Sequence, residues 1–178
     1  GALPPPGSYF LNYLTYYTAS KFKGSNGNDL MPKFDLDVVA NVFRLVHVTK
    51  HKILGASWAV HAFLPLVYQD VDVPGRGEVR WGIGDIIVDP IILGWHWKNL
   101  HITAGLDIYI PSGSYDKDHL ANAGRNYWTF EPVFAATFLS DSGIEVSGKF
   151  MYDFNLKNSG TNYHSGEEFH FDYTVGYH

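Results

Sequence analysis

The chain has 178 residues, a formal net charge of -5 and no cysteine. That balance argues against a nucleic-acid binder, which carries a basic face, and the lack of thiols excludes disulfides and thiolate metal centres. Hydrophobic residues make up 46% and charged residues 17%, with 12 Tyr, 12 Phe and 5 Trp, yet no apolar run reaches the roughly 18 residues of a membrane helix.

The longest apolar candidate, IIVDPIILGW, is broken by Asp89 and Pro90. If the chain enters a bilayer it does so as β-structure, because only helices and closed barrels satisfy their backbone groups there. Residues 1–7 (GALPPPG) read as an extended lead-in, at the start of either a mature or a trimmed chain. Residues 8–19 form a Tyr-rich first strand, and 20–33 a long polar loop. Residues 34–48 alternate: Phe34, Leu36, Val38, Ala40, Val42, Val46 and Val48 oppose Asp35, Asp37, Asn41 and His47. Arg44 falls on the apolar side, which predicts a bulge there. Residues 49–52 are expected to turn, 53–66 to form a strand with Trp58, Leu64 and Leu66 on one face, and 67–83 to form a second long loop.

Residues 84–97 are a fourth strand, turned by Lys98-Asn99 into the next. The segment LHITAGLDIYI is the clearest of all. Leu100, Ile102, Ala104, Leu106, Ile108 and Ile110 face one side, and His101, Thr103, Gly105, Asp107 and Tyr109 the other. Pro111 and Gly113 end it. After a loop at 111–126, strands are predicted at 127–139 and 144–154 around a tight SDSG turn. A loop at 155–166 leads to a last strand bearing Phe169, Phe171, Tyr173 and Val175.

The pattern predicts an all-β, antiparallel up-and-down transmembrane β-barrel with about eight strands in one domain spanning 1–178. Long and short connections alternate, as the outer loops and inner turns of outer-membrane barrels do. A soluble lipocalin-type barrel would also show eight amphipathic strands. Strand length and the aromatics favour the membrane: Trp81, Tyr109, Tyr127 and Trp128 fall where strands meet long loops, and Trp95 and Trp97 beside a short turn. Two such rings suit the two membrane interfaces.

The runs GDIIVDPIILGWHWKNLHITAGLDIYIPSGSYD, LANAGRNYWTFEPVFAATFLS, EVSGKFMYDFNLKN and YHSGEEFHFDYTVGY, with the opening GALPPPGSYFLNYLTYYTASKF, resemble the MetA-pathway phenol-degradation family of outer-membrane proteins. The resemblance implies a bacterial outer-membrane barrel associated with aromatic-compound catabolism and solute uptake, and it supplies no catalytic residues. Members of that family continue for several more strands. The chain is therefore expected either to form part of a larger barrel or to close at eight.

The polar faces collect Asp35, Asp37, His61, Asp85, Asp89, His101, Asp107, Glu131, Glu145, Lys149, Asp153, His170 and Asp172, with Arg44 added if a bulge turns it inward. These are the candidate lumen residues, lining either a solute path or a network of paired charges that fills a narrow barrel. No metal site is expected: HExxH and similar spacings are absent, and His61, His101 and His170 come from different strands. Asp70, Asp72, Asp116 and Asp118 lack a full Ca²⁺ ligand series, and no cofactor or catalytic residue is assigned.

The expected function is a porin-like transport barrel that passes or binds small hydrophobic or aromatic solutes, with outer-membrane lipid and the solute as partners. The first alternative is a non-conducting structural or adhesion barrel acting through its loops. The second is a lipid-modifying enzyme using loop residues such as Ser112, Asp116 and His119.

Overall fold

The computed structural model describes residues 1–178 and contains only β-structure. The strands are β1 (Gly7–Ala19), β2 (Phe22–Lys23), β3 (Asp29–Met31), β4 (Asp35–Ile53), β5 (Ala56–Val73), β6 (Arg76–Ile83), β7 (Ile86–His96), β8 (Leu100–Ile110), β9 (Thr129–Leu139), β10 (Ile144–Asn155) and β11 (Glu168–Tyr177). Eight of them form a curled antiparallel sheet in the order β1-β4-β5-β7-β8-β9-β10-β11. This is the antiparallel up-and-down strand order that the alternation predicts, curled into an open half-barrel with β1 and β11 as its two edges. The β2–β3 hairpin sits within the first long connection.

Cross-strand partners share a face, so one register assignment fixes the sidedness of its neighbours. Val46, Val48, Ala59 and Ile92 form the small buried core, and Leu3 and Tyr9 pack against it. The N-terminal segment thus lies across the concave side: the Gly1 ammonium donates to Thr137 Oγ1 at 2.6 Å, and Thr103 Oγ1 donates to the Gly1 carbonyl at 2.6 Å. On the convex side the apolar residues meet no protein. Phe10, Leu106, Phe134, Phe138, Val146, Phe150 and Phe154 are all exposed there. Only 22 of 178 residues are buried, so burial between protein groups cannot account for this apolar surface, and a hydrocarbon phase suits it.

Several local expectations are corrected. The predicted 49–52 turn is a bulge: between the pairs Val48–Ala59 and Lys52–Ser57, β4 carries the extra residues. The chain reverses instead at Leu54 (φ 51°) and Gly55 (φ 76°). Two successive positive φ values make a tight hairpin turn that twists with its strands, but Leu at the first position hides it from sequence reading. The predicted 67–83 loop is largely strand, because β5 runs on to Val73, turns at Gly75, and pairs with β6 from Leu66–Ile83 to Val73–Arg76. No bulge occurs at Arg44: β4 pairs with β5 without interruption from Asp35 to Val48. The strand keeps its phase, and Arg44 stays on the same side as Val46.

That phase moves two predicted lumen residues. Asp35 and Asp37 lie on the face opposite Arg44, where Tyr16 donates to Asp37 Oδ1 at 2.6 Å. Asn12 and Asn41, and Ser8 and His47, pair on the same outer face. Here the apolar face of the strand turns inward: Leu3 packs against Val46 and Val48 at one end, and Leu36 lines a pocket with Phe22, Met31 and Val71 at the other.

Candidate functional site

A row of ionisable side chains crosses the concave face from β4 to β11. It starts at Arg44, whose Nη2 approaches His61 Nδ1 at 2.9 Å, whose Nη1 donates to Tyr13 Oη at 3.3 Å, and whose guanidinium lies 4.8 Å from the Phe63 ring centre. Arginine only donates hydrogen bonds, so Nδ1 accepts and Nε2 carries the proton. Nε2 then donates to Asp107 Oδ1 at 2.5 Å. Arg44, His61 and Asp107 therefore form one directed chain, with the positive charge at one end and the negative charge at the other.

Asp89 joins this chain through a bulge. β7 has an extra residue between the pairs His61–Asp89 and Ala59–Ile92, and the Ile91 amide donates to Asp89 Oδ1 at 2.8 Å. Pro90, which lacks an N–H, is tolerated at such a bulge. The carboxylate occupies the space above Gly105, where an added Cβ would lie 2.2 Å from Asp89 Oδ2. Any side chain at this position would push the carboxylate from its place.

The row continues across β8 and β9. Asp107 pairs in register with Glu131, and Tyr109 donates to Glu131 Oε2 at 3.1 Å. Tyr109 is thus a concave-face residue, correcting its expected place in an interface ring. Like Asp107 it has an odd number on β8, and Arg125 stacks 5.2 Å above its ring. On β10 and β11, Asp153 and His170 complete the row, with His170 Nε2 3.4 Å from Glu131 Oε2 and 3.8 Å from Asp153 Oδ1.

Beside the row lies a cavity of about 280 Å³, lined by Arg44, His61, Asp89, Asp107 and Lys149 together with Val46, Phe63, Ile92, Val133 and Ala135, and closed on one side by residues 1–3. Lys149 lines it without an ion pair within 4 Å, although it pairs in register with Asp172.

The other predicted residues lie elsewhere. Asp85 is buried but serves the rim rather than the row: its two carboxylate oxygens accept from the amides of Gly113 and Arg125 at 2.9 and 2.8 Å. This pins the 111–128 loop inward, helped by a close approach of Gly113 and Gly124 that a Cβ would block at 2.7 Å. His101 contacts His96 near the short turn (3.0 Å), and Glu145 meets His178 and Ser147. Trp81 packs at a tilt against Tyr68 and is exposed, as are Trp97 and Trp128, while Trp95 donates to the Leu54 carbonyl and Tyr127 is half-buried. Ser112 serves the Ile86 amide, whereas His119 turns to Glu78 and Asp116. The three loop residues considered for hydrolysis do not converge.

The β5–β6 hairpin, which extends past the strands paired through β7, carries Glu78. Its carboxylate accepts from the Leu120 and Ala121 amides and from His119 Nδ1. Partial burial pushes its pKa up, but these donors outweigh that and hold it below the ordinary glutamate value.

Residues 19–178 match the family described as "Putative MetA-pathway of phenol degradation". The chain also superimposes on a solved outer membrane channel from Pseudomonas putida F1, with a TM-score of 0.77 and 21% identity over 88% of this chain and 59% of that one. The likeness shows a shared fold, and this chain spans less than two thirds of that channel's length. No curated protein matches it.

Two expectations follow from the site. Arg44→Met removes the cation from a row of buried carboxylates and should destabilise the full-length protein by about 3–5 kcal/mol in detergent. Adding Asp107→Asn should recover part of that loss; a cost below about 1 kcal/mol for the single variant would contradict the directed chain. Because the folded-state pKa of Glu78 is lowered, its grip on the loop is complete above the unfolded value near about 4.3 and is lost as pH falls through the folded value. Hydrogen-exchange protection of the Leu120 and Ala121 amides should decline over that acid range and be weak at every pH in Glu78→Gln. Protection equal in both proteins would refute the assignment.

Proposed function

The chain belongs to the family of the MetA pathway of phenol degradation, and from that premise we propose that it acts in the bacterial outer membrane as a channel that passes or binds small hydrophobic or aromatic solutes. The observation that carries this reading is the two-sided lining of the concave cavity. Phe63, Ile92, Val133 and Ala135 offer an apolar wall, while Asp89, Asp107 and the Arg44–His61 pair offer hydrogen-bonding groups at its edge. Small-molecule sites combine these features: mostly apolar walls with a few placed polar groups. At about 280 Å³ the space falls just below the roughly 300–1,000 Å³ typical of drug-sized ligands, which suits one small ring.

A phenol fits this wall chemically, with its ring against Phe63 and Ile92 and its hydroxyl donating to a carboxylate. The fold likeness to a solved outer membrane channel and the apolar convex face support the membrane setting. Four carboxylates, Asp89, Asp107, Glu131 and Asp153, line the row against the single guanidinium of Arg44 and the ammonium of Lys149, so any ion path should favour cations.

The test is conductance of the full-length protein in planar bilayers. Steps that reverse in favour of K⁺ over Cl⁻ are expected, with block by phenol that weakens about tenfold in Phe63→Ala, the loss of roughly 1.4 kcal/mol of ring contact. No steps, anion preference, or equal block of both proteins by phenol would overturn the proposal.

A further inference from the structure

We infer that Glu131, Asp153 and His170 form a binding site for a divalent transition-metal cation of the Zn²⁺ type on the concave face. The three residues come from β9, β10 and β11, and one ligand atom of each lies within 4.8 Å of the other two. Glu131 and Asp153 stand opposite each other between the pairs Val133–Met151 and Phe130–Phe154. They are 3% and 4% exposed. Asp153 Oδ1 is enclosed and accepts no hydrogen bond. It is the same oxygen that lies 3.8 Å from His170 Nε2, so an unsatisfied carboxylate oxygen points into the cluster.

No Lys or Arg forms an ion pair with either carboxylate; His170 is their charged-type neighbour. Burying two adjacent carboxylates without a cation is expensive, and a metal ion would supply the charge. The spacing fits one. Oxygen and nitrogen ligands at 2.0–2.2 Å in a tetrahedral shell lie about 3.3–3.6 Å apart, and the His170–Glu131 and His170–Asp153 separations are 3.4 and 3.8 Å. An imidazole donor and only two carboxylates favour zinc-like ions over Ca²⁺ or Mg²⁺, which take shells of oxygen. Tyr109 donates to Glu131 Oε2 and orients that ligand, as groups behind metal ligands commonly do. His170 remains 39% exposed, leaving a route of entry.

The second triad of this kind, His61, Asp89 and Asp107, makes the contrast. Both nitrogens of His61 are engaged by Arg44 and Asp107, and Asp89 Oδ1 is held by the Ile91 amide. It already contains its cation.

The experiment uses full-length protein, purified in detergent and stripped with a chelator, with ZnCl₂ as the probe in calorimetry and Co²⁺ as the spectroscopic probe. One Zn²⁺ per chain is expected, with Co²⁺ bands of low coordination number and a zinc-dependent rise in melting temperature. Asp153→Asn and His170→Gln should each weaken binding by at least about 100-fold, while His101→Ala should not. Asp153→Asn keeps the shape and removes the stranded charge. If it fails to fold, His170→Gln at the more exposed position gives the same reading. Absence of zinc binding, a melting temperature that responds to pH but not to zinc, or binding that survives both substitutions would overturn the site.

Discussion

Thirteen successive residue pairs join β1 to β4, and an unbroken run from Asp35 to Val48 joins β4 to β5. In such ladders no residue chooses its side alone: cross-strand partners share a face, and a slip of one position would invert every side chain in the strand. A membrane-spanning sheet tightens this further, because an unpaired backbone group in hydrocarbon has no water to replace the lost partner. The registers therefore dictate where the charges go. Arg44 cannot leave the concave side without dragging Val46 and Val48 with it.

Given that constraint, the concave face has to satisfy its charges within itself, and it does so unevenly. At the β4–β8 end, arginine, imidazole and carboxylate hydrogen-bond in sequence, and Gly105 and the β7 bulge make room for the second acid. At the β9–β11 end, two buried carboxylates meet only a tyrosine hydroxyl and a half-exposed histidine. The same row is thus closed at one end and chemically unsatisfied at the other. Between them the cavity combines an apolar wall with polar edges, the combination on which the proposed solute path depends.

The long amphipathic strands were plainly legible. β8 and β10 alternate without interruption, and their expected bounds at Leu100 and Ile144 match the structure. Alternation separates two faces but does not say which one turns inward. On β4 that ambiguity mattered: the unbroken register puts Asp35 and Asp37 outward, and the apolar side meets Leu3 at Val46 and Val48 and a pocket with Val71 and Leu120 at Leu36, contacts from distant parts of the chain. Arg44 looked like a break in pattern and is instead the residue that marks the inner face. Tyr109 stands beside a loop, which suggests an interface ring, although its phase with Asp107 puts it inside. The Leu54-Gly55 turn lacks the Asn-Gly signal of its turn type, and a lysine-rich bulge nearby resembled a turn more closely. The row itself could not be read from spacing, since seven strands contribute to it.

The central claim is that the convex face meets lipid and the concave face meets an aqueous interior. The most direct measurement places a small fluorophore at single sites along β10 of the full-length protein in lipid vesicles. The account predicts that labels at Val146 and Phe150 are quenched by brominated lipid and shielded from iodide, and that labels at Ser147 and Lys149 behave in the opposite way. Equal quenching by brominated lipid at all four positions would contradict it.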